Sequence, residues 1–231
     1  MRLQRLHEWD LTPAEAIALQ KELAPHVVTI GDLGDVHLVA AADVAFVDRQ
    51  WPRQPTRGRA AAVLMRYPEL DIIEQCVVEG DVTFPYVPGL LSFREIPLLT
   101  RALERIEGAP DLLLVDGQGH AHPRRLGIAS HVGLLAGIPT IGCAKSRLCG
   151  EHVEPGPTRG STAELRDGGE VIGTVLRTRD GVKPLYISVG HMISLESAAA
   201  WVLRLATRVR LPEPIRVADT LSKAKGNGKW G

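Results

Sequence analysis

The chain has 231 residues, and its 27 lysines and arginines are balanced by 27 aspartates and glutamates, so its formal net charge is zero. This length suits one sizeable hydrophobic core, and the balanced charge excludes bulk electrostatic attraction as the basis of nucleic-acid binding. Three cysteines without a CxxC pair argue against a disulfide or zinc framework, and no apolar run approaches a membrane span, so we expect one cytoplasmic α/β domain.

The first third of the chain predicts one helix and three strands. Thr12, Pro13 and Glu15 make up a capping box with proline at the first helical position, so a helix is expected from about residue 13 to residue 23. Three apolar, β-leaning runs follow at residues 37–47, 59–67 and 70–84. The segment 48–58, rich in proline and arginine, is typical of a loop. Three strands with short links favour an antiparallel meander at one side of a sheet.

The middle of the chain predicts alternating helices and strands. Residues 94–106 have the spacing of an amphipathic helix, with Pro97 acceptable only in its first turn. The run 111–115 indicates a fully apolar strand, 126–137 a helix, and 138–144 another buried strand. This strand–helix–strand order implies parallel pairing.

The C-terminal third predicts a hairpin, a helix and a tail. The stretches "EVIGTVLRT" and "KPLYISV" flank "RDGV", whose Asp-Gly turn indicates a β-hairpin. A helix is expected over residues 194–209, started by Ser194. Prolines and then lysine and glycine follow, so we expect the domain to span residues 1–217 and residues 218–231 to form a flexible tail.

Three acidic residues stand where a purely structural role is not obvious. Asp43 lies in the middle of an apolar strand, where an unpaired charge is costly. Asp116 ends the apolar run "LLLV", at the edge where α/β sheets usually bind ligands. Glu95 lies at the start of the helix predicted over 94–106. Carboxylates converging from two strands and a helix start suit Mg²⁺, a hard cation that takes oxygen ligands.

Structural explanations of the same acids remain open from spacing alone. Asp43 could occupy a bulge or accept buried hydrogen bonds, and Asp116 could simply begin the turn "DGQG". A glutamate such as Glu95 is favoured in a first helical turn by the helix dipole. A glycine-rich phosphate loop is a rival interpretation of "DGQG", although the segment lacks the GxGxxG spacing and the Walker lysine.

Five segments, in order and spacing, resemble the endonuclease V family of deoxyinosine 3′-endonucleases. They are "VAAADVAF" around Asp43, "PYVPGLLSFRE" (85–95), "LLLVDGQGHAHPRRLGIASHVG" (112–133), "GCAKSRL" (142–148) and "KPLYISVGHMISLESA" (183–198). No short motif is decisive alone, but the ordered set is highly specific. The resemblance implies a ribonuclease H-like fold, in which helices flank a mixed sheet with an antiparallel meander followed by parallel strands.

The resemblance also implies an activity and a metal. Family members cut the second phosphodiester bond on the 3′ side of a deaminated base, chiefly inosine, and leave 3′-hydroxyl and 5′-phosphate ends. Asp43, Glu95 and Asp116 match the family's Mg²⁺ ligands one by one, and Mn²⁺ is expected to substitute. The implied partner is DNA containing deaminated bases, bound by a monomer without any membrane.

The segment "PYVP" matches the family's wedge. Pro85 and Pro88 stiffen the loop, so that Tyr86 can insert where a base has left the stack. A proline-bounded surface turn is the plainer explanation of these residues without the resemblance. The residues matched to the pocket for the flipped base, where backbone groups approach it, are Gly89, Leu91, Gly119 and Gly127.

Polar residues complete the implied site. His122 matches an active-site histidine, which would orient water, bind a second ion, or stabilise phosphate charge when protonated. Lys145 follows a buried strand, as the family's lysine does, and would offset charge on the phosphate. Arg124 and Arg125 are expected to contact the nucleic-acid backbone, although both could be ordinary surface arginines. Val189 replaces the usual proline of the motif that contains His191, a residue we assign to phosphate or DNA contact.

Three other functions fit parts of the pattern. An inosine-specific endoribonuclease would use the same site on RNA. A catalytically inactive nucleic-acid-binding relative should have lost acids, whereas all three are present. A nucleotide-binding regulator built on "DGQG" predicts nucleotide binding that the substitution Asp43→Ala does not affect.

Overall fold

The structure, a computed structural model, describes residues 1–46 and 56–224. Within these residues eight strands form one sheet. They are β1 (Leu38–Phe46), β2 (Thr56–Arg66), β3 (Asp71–Val82), β4 (Leu112–Val115), β5 (Thr140–Ala144), β6 (Thr162–Asp167), β7 (Glu170–Leu176) and β8 (Leu185–His191). The α-helices are α1 (Pro13–Leu23), α2 (Leu91–Leu103), α3 (Ile128–Ala136), α4 (Leu195–Leu205) and α5 (Glu213–Lys223), and α1 continues into a short 3₁₀ helix, Ala24–His26.

The sheet is mixed, with the strand order β3-β2-β1-β4-β5-β8-β7-β6. Antiparallel pairing joins β1, β2 and β3 into a meander. Parallel pairing joins β1, β4 and β5, and the remaining strands return antiparallel. The predicted ribonuclease H-like arrangement, an antiparallel meander followed by parallel strands with helices on both faces, is confirmed.

The central strand β4 explains why "LLLV" is apolar at every position. Leu112 and Leu114 pack into a core with α4 and α5, whereas Leu113 and Val115 pack into a second core with α2 and α3. Successive side chains of a strand point to opposite faces, so a strand covered by helices on both faces is apolar throughout. The strand is therefore fixed from both sides at the point where Asp116 follows it.

Two predicted helix starts are confirmed. Thr12 caps α1, because its Oγ1 accepts a hydrogen bond from the Glu15 N–H at 3.3 Å while the Glu15 carboxylate accepts from the Thr12 N–H at 2.8 Å. Ser194 caps α4 by accepting from the Ser197 N–H at 3.2 Å. These caps satisfy N–H groups that a first helical turn leaves without partners. Over the ranges that the structure describes, no helix is long and apolar enough to cross a membrane.

Helix α2 begins earlier than the sequence predicted, at Leu91 rather than at residue 94. Pro97 therefore lies inside the helix and not in its first turn, which corrects the prediction. Proline removes a backbone donor and strains a helix interior, but most of α2 is buried, and this packing offsets the strain. The earlier start also moves Glu95 out of the first turn and into the buried part of the helix.

Two strand predictions also need correction. Strand β2 begins at Thr56, so the end of the predicted loop 48–58 is strand, while residues 47–55 lie outside the described residues. Strands β7 and β8 pair antiparallel, but residues 177–184 connect them instead of a tight Asp-Gly turn. The tight hairpin joins β7 to β6, a strand that the sequence did not predict. Its turn is the Gly-Gly pair at 168–169, and both residues have the positive φ that such a turn requires.

Helix α5 is the largest departure from the predicted organisation. Residues 218–223, expected to belong to a flexible tail, are part of this helix, and residues 225–231 lie outside the described part of the chain. Ile215, Val217 and Ala218 are buried in the core beneath the sheet. The helix packs on β1 and β2, and it thereby brings polar side chains to the strand that carries Asp43.

Candidate active site

The register of two parallel strands brings Asp43 and Asp116 side by side. Ala42 of β1 is paired with Val115 of β4, so the next residue on each strand lies at the same level of the sheet. The Asp116 N–H donates to the Ala42 carbonyl at 3.4 Å. Because paired positions of parallel strands point to the same face, the two carboxylates converge although they are far apart in sequence.

A third carboxylate, Asp219, joins them from α5. One oxygen from each of Asp43, Asp116 and Asp219 lies within 4.8 Å of the other two. Ser222, almost one turn further along α5, donates its hydroxyl proton to Asp43. The helix therefore both completes the acidic cluster and holds one of its members in place.

Asp219 is not among the predicted site residues, because the sequence predicts a flexible tail at residues 218–231. A signal for the helix was nevertheless present. Apolar residues recur every third position at Ile215, Ala218 and Leu221, a spacing that is typical of one face of a helix.

Lys145 bridges two of the three carboxylates. It follows β5, and its Nζ donates to both Asp116 and Asp219. Lys223 adds a second donor to Asp219 at 2.6 Å. Burial lowers the pKa of Lys145, but its ion pairs with Asp116 and Asp219 outweigh burial and raise that pKa above its ordinary value. Lys145 is therefore a fixed positive charge beside the acidic cluster.

The charges of the acidic cluster also act on Glu95, which lies in α2. Burial, and after it the charges of Asp43 and Asp116, raise the pKa of Glu95 well above its ordinary range. Burial and the Asp43 carboxylate likewise raise the pKa of Asp116 to about 6, although Lys145 opposes the shift. Both shifts come first from burial and second from repulsion between the carboxylates.

Two of the three predicted Mg²⁺ ligands, Asp43 and Asp116, belong to the converging set, together with Asp219, and Glu95 lies beside it. This set of donors fits Mg²⁺. All of the converging side chains offer carboxylate oxygens, which are the ligands that this hard cation prefers over nitrogen or sulfur. A divalent cation would also offset the repulsion that, after burial, raises the pKa of Asp116 and Glu95. Asp43, Asp116 and Asp219 would hold the ion, with Glu95 beside them.

A cavity of about 400 Å³ opens beside the acidic cluster, with Asp116 and Lys145 in its wall. The predicted substrate-binding and catalytic residues that also line it are Tyr86, Pro88, Gly89, Leu91, His122 and Gly127. The side chain of Tyr86 is 59% exposed at the rim. Pro85 lies outside this cavity and lines another one behind the loop. An exposed aromatic ring at the mouth of a cavity is placed to stack against a base.

Residues 85–90, which we call the wedge loop, are fastened by hydrogen bonds to the Gly89 carbonyl. That oxygen accepts from Gln20 Nε2 at 3.1 Å, from Arg124 Nη2 at 2.7 Å and from His122 Nε2 at 3.0 Å. Gln20, fully buried in α1, also donates to the Leu126 carbonyl and accepts from Arg124 Nε at 2.6 Å. The Arg124 guanidinium, expected to meet a nucleic-acid backbone, is thus engaged inside the protein. Sequence reasoning did not single out Gln20, for which the sequence holds no local signal.

Both ring nitrogens of His122 are occupied. Nε2 donates to the Gly89 carbonyl, and Nδ1 accepts from the Arg124 backbone N–H at 3.1 Å. Burial, and after it the charge of Arg124, lower the pKa of His122 to about 4. The imidazole is therefore neutral at neutral pH, and this arrangement favours a role in positioning the wedge loop over one as a phosphate-binding cation.

Gly119 and Gly127 are required by close backbone packing. A Cβ at Gly119 would lie 2.1 Å from the Val189 carbonyl oxygen, and a Cβ at Gly127 would lie 2.3 Å from that of Gln118. Gly127 lines the cavity, whereas Gly119 is buried and does not. Both glycines fix the loop that leads from Asp116 to α3.

The structure does not bring His191 to the acidic cluster. His191 ends β8 and pairs with Thr140 at the start of β5, whereas Lys145 follows the opposite end of β5. Its Nδ1 accepts from the Val28 N–H at 3.2 Å. His191 therefore lies away from the acidic cluster, and its contact with phosphate or DNA stays a prediction.

Arg125 and His120 are engaged with the hairpin of β6 and β7. The Arg125 guanidinium pairs with Asp167 at 2.9 Å and with Glu170 at 2.8 Å, and His120 contacts Glu170 at 3.0 Å. The hairpin therefore supports the loop after Asp116. Its two carboxylates pair with the Arg125 guanidinium, which was expected to contact nucleic acid.

Known proteins resemble the chain over nearly its whole length. A family model described as Endonuclease V matches residues 21–220. The endonuclease V of Dehalococcoides mccartyi is 52% identical over 219 residues, which are 94% of this chain and 96% of the relative.

Solved structures share the fold as well. The endonuclease V of Streptomyces avermitilis superposes with a TM-score of 0.86 at 41% identity, covering 96% of each chain. The endonuclease V of Ciona intestinalis superposes with a TM-score of 0.76 at 28% identity, covering 91% of this chain and 95% of that one. The latter was solved in complex with DNA containing an inosine followed by a ribo-adenosine.

Proposed function

The chain belongs to the endonuclease V family, and from this premise we propose that it nicks DNA beside deaminated bases, chiefly deoxyinosine. The observation that carries the proposal is the convergence of Asp43, Asp116 and Asp219 beside a cavity with an exposed tyrosine at its rim. The complex of the Ciona intestinalis relative with inosine-containing DNA supports the choice of substrate.

Mg²⁺ is the proposed cofactor, with Mn²⁺ as a substitute. When bound, such an ion polarises a phosphodiester and lowers the pKa of a water molecule. Asp43, Asp116 and Asp219 would hold it through oxygen atoms, and the buried carboxyl of Glu95 lies beside them. All of these residues come from one chain, so the site needs no residue of a partner subunit, which supports the monomer that we propose.

The protein's own groups divide into those at the phosphate and those at the base. Lys145 keeps a positive charge beside the acidic cluster and offsets the charge that develops on the phosphate during hydrolysis. Tyr86 inserts into the stack in place of the extruded base. The cavity beside Gly89 and Gly127 receives that base, whose edge is read by the groups of the wall.

We assign the cut to the second phosphodiester bond on the 3′ side of the lesion, with water as nucleophile and 3′-hydroxyl and 5′-phosphate ends as products. Asp116 lines the base cavity, whereas Asp43 and Asp219 do not. The base and the scissile phosphate therefore occupy neighbouring positions and not the same one, which supports a cut displaced from the lesion.

The test is a nicking assay on a duplex with a single inosine, mapped to one nucleotide, with an undamaged duplex as control. We expect one nick at the second bond on the 3′ side, dependent on Mg²⁺, abolished by EDTA and abolished by Asp116→Asn. A matched RNA with one inosine separates a deoxyribonuclease from an endoribonuclease. Cutting that ignores the inosine, or that survives the loss of Asp116, would refute the proposal.

A further inference from the structure

A second cavity, of about 560 Å³, shares Lys145, Ser146 and Arg147 with the wall of the candidate active site. We call it the basic cavity, because the described residues of its wall include five basic side chains and a single carboxylate, that of Glu154. The basic side chains are Lys145, Arg147, Arg177, Lys183 and Arg210. The chain as a whole has zero formal charge, so this excess of positive charge is local and not a consequence of composition.

Two arginines hold the walls of the basic cavity together. Arg177 is buried and pairs with Glu154 at 2.6 Å, which neutralises the carboxylate of the wall. Arg210 donates from Nη2 to the Lys145 carbonyl at 2.9 Å and to the Pro184 carbonyl at 2.6 Å. The end of β5 is thereby tied to the segment that connects β7 and β8, so the cavity is preformed.

The remaining positive charge is not compensated inside the protein. Arg147 and Lys183 are exposed, and their side chains make no hydrogen bond or ion pair with any residue that the structure describes. The hydrogen bonds of Arg210 go to carbonyls, and its Nε–H is buried without a partner within residues 1–46 and 56–224. A guanidinium donor left unpaired at a cavity wall is stabilised by an anion.

We propose that the basic cavity binds phosphodiester groups of the substrate strand next to the scissile phosphate. The proposal rests on the function proposed above, which supplies the strand. Because Lys145 and Arg147 belong to both cavities, a strand that crosses the candidate active site continues into the basic cavity. Arg147 and Lys183 contact its phosphates from the rim, and Arg210 does so from the wall. These contacts go to the backbone, so they raise the affinity for any sequence.

The first test measures binding without catalysis. Undamaged duplex DNA is titrated in EDTA, over a range of salt concentrations, against the wild-type protein, Arg147→Gln, Lys183→Gln and the double variant. Each single variant is expected to weaken binding several-fold and to reduce the slope of log affinity against log salt by about one unit. The double variant is expected to reduce that slope by about two units. Unchanged slopes in the double variant would overturn the proposal.

The matched controls are Arg105→Gln and Lys21→Gln. Both remove exposed basic side chains on other surfaces, and neither side chain has a hydrogen-bond partner among the described residues. We expect these controls to keep the wild-type slope. Controls that flatten it as much as the cavity variants do would show that only total charge matters, which would also overturn the proposal.

The second test locates the contact along the strand. Inosine oligonucleotides are shortened stepwise from the 3′ side or from the 5′ side, and kcat and KM are measured for the wild type and for Lys183→Gln. We expect Lys183→Gln to raise KM several-fold at unchanged kcat, and shortening one side to abolish that difference. A difference that persists in both series would refute a local contact. Failure to nick any inosine substrate would refute the proposed function instead, and the binding test, which needs no cleavage, would still decide about the cavity.

Discussion

At the scale of single residues, each carboxylate of the acidic cluster can bind a metal only together with partners that are distant in sequence. Asp43 in an apolar strand would be costly if it were alone, but it accepts a hydrogen bond from Ser222 and faces Asp116 and Asp219. Asp116 by itself would be an ordinary turn residue. Only the set of acids, contributed by two strands and a helix, has the density of oxygen donors that a divalent cation requires.

Asp219, which only the structure identifies, gives the sharpest test of the acidic cluster. Asp219→Asn removes one charged oxygen donor while preserving shape, so we expect nicking activity to fall by at least about 10–100-fold and the Mg²⁺ concentration for half-maximal activity to rise. The measurement is the rate of inosine nicking across a Mg²⁺ titration. Lys223→Gln is the matched control, because it removes only an exposed partner of Asp219 and should change the rate little. Activity of Asp219→Asn equal to wild type would remove Asp219 from the proposed site.

Tyr86 allows a test that separates opening of the duplex from chemistry. Its side chain is 59% exposed, so Tyr86→Ala should leave the melting temperature unchanged. Stacking of one base on an aromatic ring contributes about 1–3 kcal/mol, so we expect kcat/KM on duplex inosine DNA to fall roughly tenfold. The loss should be smaller on single-stranded DNA, where no base pair has to be opened, and Tyr86→Phe should retain activity. Equal losses on both substrates would contradict a wedge role.

The residues of the candidate site were predictable to different degrees. Asp43, Asp116 and Lys145 lie within or directly after apolar strands, a local pattern that marks them in the sequence. Asp219 and Gln20 carry no such mark. Their importance comes from contacts between a helix and distant loops, and such contacts exist only once the chain has folded.

At the scale of elements, the sequence predicts those whose signals are local. The capping box of α1 and the apolar run of β4 are complete within a few residues, and both elements form as expected. Strand β6 is short and only two of its residues, Ala163 and Leu165, are apolar, so its alternation is too brief to have predicted a strand. The start of α2 was misplaced because the proline rule describes an isolated helix, whereas burial of α2 tolerates Pro97 in its interior.

Truncation within helix α5 is expected to damage both the core and the acidic cluster. A chain ending at residue 217 would lack Ala218, Asp219 and Ser222, and would therefore lose core packing, one acid of the cluster and the hydrogen bond to Asp43. We expect it to be inactive and less stable, as measured by inosine nicking and thermal unfolding. A chain ending at residue 224 keeps all of α5 and is the matched control. Full activity of the shorter chain would show that α5 is dispensable.

At the scale of the whole molecule, the N-terminal segment is joined to the second core through a pair of histidines, one buried and one partly buried. His131 of α3 is fully buried, and its Nε2 lies 2.7 Å from His7 Nε2. Trp9 and Phe93 pack around the two imidazoles. His7 Nδ1 donates to the Glu8 carbonyl at 2.7 Å, so His7 Nε2 accepts from His131 Nε2. Protonation of His131 would therefore place a charge and a new N–H at its Nδ1, which is buried without a partner among the described residues. The packing of residues 1–11 against α2 and α3 therefore depends on His131 remaining neutral.

This dependence predicts how the free energy of unfolding varies with pH. Burial, and after it His7, lower the pKa of His131 to about 3 in the folded protein, whereas an unfolded chain titrates near the ordinary value of about 6.5. The unfolded state therefore binds more protons between these two values. The stabilisation is fully present above about pH 6.5 and is lost as the pH falls toward 3, with a slope of up to about 1.4 kcal/mol per pH unit.

The measurement is urea unfolding of the wild type and of His131→Gln at several pH values between 4 and 7. Glutamine keeps a hydrogen-bonding group toward His7 but does not titrate, so the variant should lose most of that slope even if its stability at pH 7 is lower. His26→Gln replaces an exposed histidine and serves as the matched control. Because the comparison concerns the slope and not the absolute stability, a poorly packed glutamine cannot mimic the result. Parallel curves for the wild type and His131→Gln would show that His131 does not link protonation to unfolding.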